Sequence, residues 1–168
     1  MKTREHQRPG KPAGTKNVVG WREWIGLPDL GIDTIKAKVD TGARTSSLHA
    51  YDVVEFHRGR QAMVRFKVHP EQRDTRYVVS AEAPLCDRRS VKSSSGQVGV
   101  RPVVRTTIEL MGERWELELT LVGRDEMGFR MLLGRQAVRT RFLVDPGRSF
   151  LNGRRVKGSR RLKKKNRR

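Results

Sequence analysis

Cysteine is nearly missing: Cys86 is the single one in 168 residues. A lone thiol excludes an internal disulfide framework and fits a reducing compartment, so the chain reads as cytoplasmic. No apolar run approaches the length of a membrane span. The basic N-terminus has no apolar segment behind it, so no secretory signal is expected. The histidines, His6, His49, His57 and His69, show no zinc-ligand spacing, and H-E-x-x-H does not occur. No metal site is expected. There is no G-x-x-x-x-G-K-[ST] phosphate loop, so ATP has no support and no cofactor is expected. Long stretches of 3.6-residue period are almost absent, which argues against a doubly wound α/β architecture.

Acids are scarce where bases crowd. The formal net charge is +19, from 37 Lys and Arg against 18 Asp and Glu. Residues 1–17 hold five Lys/Arg and one Glu, and residues 148–168 hold eleven Lys/Arg and no acid. The body between them is only mildly basic. Residues 1–17 therefore read as a flexible leader, 18–151 as one folded domain, and 152–168 as a disordered basic tail. Residues 154–168 suit an anionic partner: ribosomal or other RNA, or an acidic peptide. The tail has no aromatic beyond Phe150 at its start, so an RNA contact there would be to phosphate and non-specific. A solvated tail that aids solubility is the plainer alternative.

What the chain does have is a succession of short alternating segments with turn signals between them. Val18–Leu27 and Ile32–Val39 read as a hairpin about Pro28-Asp29-Leu30-Gly31. Leu48–Phe56, Ala62–Val68 and Arg76–Ala81 read as strands, and Asp87–Gly99 as a polar stretch. Val103–Met111 and Arg114–Val122 form a second hairpin, with Trp115, Leu117, Leu119 and Leu121 on one face. A charged loop, 123–128, precedes the short apolar run Phe129–Gly134. Arg135–Arg139 reads as a short helix, and Arg141–Asp145 as the last strand. The pattern predicts an all-β barrel or sandwich.

The segment Ile35–Ala43 organises the rest. Apolar side chains alternate with Lys36 and Lys38, so one face of the strand is wet. It delivers Asp40 to a turn that Gly42 lets be tight. A carboxylate held so, on rigid backbone beside open space, is placed for chemistry. An Asp that merely caps a turn is the alternative.

The run Lys36–Ala50, with Val-Asp-Thr-Gly-Ala at its centre, resembles the retropepsin-like aspartic proteases. So does Leu132-Leu133-Gly134-Arg135 much later in the chain. With Phe142–Leu151 added, the chain is similar to a bacterial branch often labelled "ATP-dependent zinc protease". That branch is associated with enzymes that ligate glutamate to ribosomal protein tails. The resemblance implies a closed β-barrel with one short helix after Leu133-Gly134. It implies an aspartic peptidase that works as a homodimer, because one Asp-Thr-Gly per chain supplies one carboxylate and the chemistry needs two sharing a proton. By family analogy Asp40 is catalytic, Thr41 locks the two loops together, and Gly42 lets backbone amides approach the carboxylates.

Around that site, Ala43 offers no side-chain donor to the carboxylates where Ser would, which favours activity toward neutral pH. Arg44 works the other way if it lies near, or it recognises an acidic substrate group, or it forms a structural ion pair. The stretch Val91–Val98, with Ser93, Ser94, Ser95 and Gly96, reads either as a flap over the cleft or as an ordinary loop. As a flap it brings Arg88, Arg89 and Lys92 to the cleft mouth, where they, Ser94, Ser95 and Gly96 would contact substrate. The expected substrate is an acidic, glutamate-rich peptide such as a glutamylated ribosomal protein tail. The alternative is a non-catalytic basic β domain that binds RNA or the ribosome, or regulates a glutamate ligase.

Overall fold

The computed structural model describes residues 14–92, 95–123 and 128–153. Most of the leader, the tail from residue 154, Ser93, Ser94 and the 124–127 part of the charged loop lie outside the described residues. The architecture is all-β with one short helix. Eleven strands are described: β1 (Asn17–Gly20), β2 (Arg22–Leu27), β3 (Ile32–Asp40), β4 (Ser46–His49), β5 (Tyr51–Arg58), β6 (Gln61–Val68), β7 (Val79–Lys92), β8 (Val98–Leu110), β9 (Glu113–Val122), β10 (Met131–Gly134) and β11 (Phe142–Asp145). The helix, α1 (Arg135–Val138), lies between the last two.

Nine strands form one sheet in the order β2-β3-β10-β4-β9-β8-β7-β6-β5. A bridge between Gly26 and Glu109 joins β2 back to β8, so six of the strands run in a ring. Strands β7, β6 and β5 extend from the ring as an antiparallel wing. Strands β1 and β11 pair in parallel as a separate two-stranded sheet. The ring closes over Ile25, Leu27, Ile35, Leu48, Ile108, Leu119, Met131 and Leu133, all buried. These are the inward members of period-2 patterns, so the alternation that predicts the strands also fills the core.

Three expectations need correcting. The strand expected over Val18–Leu27 is two strands, parted at Trp21, whose N–H turns away to the Arg148 carbonyl at 2.9 Å. Leu48–Phe56 likewise breaks at Ala50, and β4 starts earlier than expected, at Ser46. The strand expected to start at Arg76 starts at Val79 and runs much further, to Lys92. The polar stretch Asp87–Gly99 is thus largely strand: β7 and β8 stay in register out to Lys92 opposite Val98. Both faces of this arm are largely exposed, so no hydrophobic alternation marks it. Backbone hydrogen bonds and cross-strand pairs hold it instead.

The β8–β9 hairpin is as expected. Met111 and Gly112 both take positive φ, 55° and 77°, which is the handed turn that joins two strands through two residues. The Met111 N–H donates to Asn152 Oδ1 at 3.0 Å, which helps hold a non-glycine residue there.

One buried acid ties the ring to the segment after β11. Glu23, fully buried, accepts from the N–H groups of Gly20 (2.7 Å), Leu151 (2.9 Å) and Asn152 (3.1 Å). Trp24 stacks on Phe150 on the outer side of the same strand.

Candidate active site

Strand β3 ends at Asp40, and the next residues turn sharply. Asp40 Oδ1 accepts from the N–H of Gly42 at 3.1 Å and of Ala43 at 3.2 Å. Among the described residues nothing donates to Oδ2. A Cβ on Gly42 would lie 3.3 Å from Oδ1, so glycine suits the close approach of amide to carboxylate. Thr41 and Gly42 are exposed and Asp40 is partly so.

The turn is fixed from behind by β10 and α1. Strand β10 pairs in parallel with β3, bringing Gly134 opposite Asp40. Beyond it, the Arg135 N–H donates to the Ala43 carbonyl (2.8 Å) and the Gln136 N–H to that of Arg44 (3.1 Å). These are first-turn amides with no partner inside their own helix, so the Asp40 loop caps α1. The Arg135 guanidinium reaches across to the Thr41 carbonyl at 3.0 Å. Inside, the Gly134 N–H donates to Ser46 Oγ at 3.0 Å in a buried contact. A carboxylate is thereby presented on a loop clamped from two directions, with one oxygen pinned and the other without a donor among the described residues. Such a group can take a proton from water, or give one to a leaving group, given a second acid to share it.

A family model described as "Retropepsin-like aspartic endopeptidase RimB" matches residues 18–155. The chain belongs to the RimB-like family. Three curated relatives are each named "Probable alpha-L-glutamate ligase". That of Shewanella halifaxensis is 46% identical over 138 residues, 82% of this chain and 30% of the relative. That of Desulfotalea psychrophila is 48% identical over 131 residues, 78% of this chain and 28% of the relative. That of Parasynechococcus marenigrum is 49% identical over 131 residues, with the same two shares. The RimB-like chain thus spans less than a third of these relatives' length. The crystal structure of a Legionella pneumophila protein of unknown function superposes with a TM-score of 0.70 at 27% identity. It covers 82% of this chain and 99% of its own.

The other residues expected at a RimB-like site are spread over two places. Ala43 and Arg44 lie on the Asp40 loop, Arg44 with its side chain exposed. Arg89 lines a cavity of about 400 Å³ together with Thr45, Ser46, Gln136 and Arg105, directly behind that loop. Lys92, Ser95 and Gly96 sit at the tip of the β7–β8 arm, and Ser94 lies outside the described residues.

Arg88 and Arg89, expected as charges at the cleft mouth, are engaged in ion pairs. Arg88 pairs with Glu55, and Arg89 pairs with Glu118 and Asp87. Hydrogen bonds to those acids, first among the causes, hold both guanidiniums even more firmly protonated than usual.

His49 is a buried strand residue whose Nδ1 meets the Arg130 guanidinium at 2.8 Å. Among the described residues no group of three or more His, Cys, Asp or Glu side chains could hold a metal ion.

Two features were missed from the sequence. Ser46 holds Gly134 from the side, and no motif announces it. Lys36, Lys38 and Asp40 share one face of β3, which the alternation did signal, but Arg22 joins them only through the register of β2.

Proposed function

We propose that this chain is an aspartic endopeptidase that works as a homodimer. Each copy lends one Asp40 to a shared pair, and the substrate is an acidic, glutamate-rich peptide such as a glutamylated ribosomal protein tail. The observation that carries the reading is Asp40 itself. Two backbone amides pin its Oδ1 while Oδ2 has no donor among the described residues, on a loop clamped by Arg135 from the Leu132-Leu133-Gly134-Arg135 run.

Across a two-fold axis, two such carboxylates hold one proton between them, because like charges that close do not both ionise. The ionised member takes a proton from water, and the hydroxide formed attacks the peptide carbonyl carbon. The protonated member gives its proton to the carbonyl oxygen. As the tetrahedral diol collapses, one of its hydroxyls gives its proton to the ionised carboxylate and re-forms the carbonyl, and the C–N bond breaks. The amine leaves with a proton from the pair, and the pair again holds one proton. The exposed Thr41 and Gly42 lie where the partner loop would meet them. Substrate would lie under the β7–β8 arm, whose outward valines, Val98 and Val100, are 68% and 66% exposed and would find cover there.

The substrate class is supported from two sides. Relatives named for glutamate ligation carry a stretch similar to this domain, so a bond made by ligation to glutamate stands beside a domain of peptidase family. The chain is also strongly cationic. Incubation with a peptide ending in a run of glutamates, followed by mass spectrometry, tests the proposal. The wild type should shorten the run and Asp40→Asn should not. An intact peptide with both proteins would leave the basic β domain that binds RNA or regulates a ligase.

A further inference from the structure

The face of β3 that carries Asp40 also carries a row of cations. Ile35, Ala37 and Val39 point into the core, and Lys36, Lys38 and Asp40 alternate with them on the partly exposed side. Lys38 is two residues from Asp40, about 7 Å along an extended strand, and Lys36 is as far again. The antiparallel register sets Arg22 of β2 opposite Lys38, and Trp24 opposite Lys36. On the other flank, β10 sets Leu132 beside Lys38, and β4 sets Ser47 beside Leu132. One row therefore crosses four strands on the Asp40 side: Arg22, Lys38, Leu132, Ser47.

These cations are crowded. Among the described residues none of Arg22, Lys36 or Lys38 forms an ion pair. Arg22 lies over the rings of Trp21 and Phe150, at 4.5 and 5.0 Å, and donates to Ser149 Oγ at 3.2 Å. The Lys36 ammonium lies 5.4 Å from the centre of the Phe129 ring. Burial, and then repulsion from Arg22 and Arg73, draws the Lys36 ammonium below its ordinary pKa. Elsewhere the molecule answers its cations: Arg58 and Arg65 share Glu82, Arg88 has Glu55, and Arg114 has Glu109. Like charges kept together without counter-charge cost stability, and an anionic ligand would remove that cost.

We infer that Lys36, Lys38 and Arg22 form the recognition surface for the carboxylate side chains of an acidic peptide lying across the Asp40 face. The inference rests on the proposed function and names what selects its substrate. Alternate side chains of an extended peptide repeat at the same distance that separates Asp40, Lys38 and Lys36. With a peptide bond at Asp40, a neighbouring glutamate falls beside Lys38. Leu132 and Ser47 continue the row as a flat, uncharged floor for the backbone. The same cations offset the repulsion between Asp40 and an acidic substrate.

The test uses the full chain in an Asp40→Asn background, so that binding is read without turnover. A fluorescent hexaglutamate peptide is titrated by anisotropy. Lys36→Gln with Lys38→Gln should weaken binding about tenfold or more. Lys36→Arg with Lys38→Arg should retain it. Arg60→Gln with Arg139→Gln, which removes two exposed charges elsewhere, should change it less than about twofold. A hexaglutamine peptide should not bind. Unchanged affinity in the Lys36/Lys38 glutamine variant overturns the inference. So does equal loss in the Arg60/Arg139 variant, which would mean bulk charge alone. Tighter binding of a hexauridylate, lost in the same lysine variant, would assign the face to phosphate and overturn it too. If the wild type cleaves no acidic peptide but these binding results hold, the catalytic reading falls and the recognition surface stands.

Discussion

Gly134 lies opposite Asp40 in the parallel pairing of β10 with β3, and a Cβ there would sit 2.3 Å from the Thr45 carbonyl oxygen. The neighbour is backbone on the loop that follows Asp40, so it cannot swing aside. The absence of one side chain on β10 thus fixes how closely the Asp40 loop is held.

Gly134→Ala should therefore destabilise the fold by about 1–3 kcal/mol or more, as over-packing does. It should also lower peptidase activity by displacing the loop. Gly128→Ala is the control, because no atom lies within 4 Å of a Cβ there. It should stay within about 0.5 kcal/mol of the wild type. Urea unfolding of both variants reads the difference, and equal midpoints would contradict the account.

Glu23 makes a second prediction. Its buried carboxylate collects three backbone N–H groups, two of them from Leu151 and Asn152, more than 120 residues away. Glu23→Gln places an amide donor among donors and removes the charge that strengthens each bond. A loss of about 2–4 kcal/mol is expected by urea unfolding. Backbone amides of 149–152 should lose hydrogen-exchange protection first. A wild-type midpoint would mean that the segment after β11 is held by its other contacts, among them Trp24 on Phe150 and Met111 N–H on Asn152.

The wing formed by β5, β6 and β7 should be sensitive to acid. Hydrogen bonds from Arg58 (2.5 Å) and Arg65 (2.9 Å) hold the Glu82 carboxyl below its ordinary 4.5. The hydrogen bond from Arg88 lowers Glu55 in the same way. A carboxyl lowered on folding adds stability that is complete above its unfolded value and is lost as pH falls through the folded one. Amide protection in β5 and β6 should thus be constant at neutral pH and fall below about pH 4.5. Glu82→Gln should show the lower protection already at pH 7. Equal protection in wild type and variant at pH 7 would contradict this.

The alternation around Lys36 and Lys38 made β3 legible, and with it the wet face that carries Asp40. The tight glycine turn at Met111-Gly112 marked the β8–β9 hairpin. The far half of β7 was hidden because neither face is buried, so its side chains carry no period. Glu23 was hidden because an acid in a short strand reads as solvent-facing; two of its three donors arrive only with the return of residues 149–152 onto β2. Arg88 and Arg89 looked free because Glu55 and Glu118 are remote in sequence and meet them only once the sheet forms. Arg22 joins Lys38 by register, which depends on the break at Trp21. In each case the missing information is long-range pairing, which local pattern does not contain.

The central claim is that two copies complete one site. Subunit mixing tests it most directly: wild-type protein at fixed concentration is equilibrated with increasing Asp40→Asn protein, and cleavage of a glutamate-tailed peptide is followed. With a ninefold excess of variant, random pairing leaves activity per wild-type chain at about one tenth. Activity that does not change with added variant would mean that each chain works alone, and would contradict the shared aspartate pair.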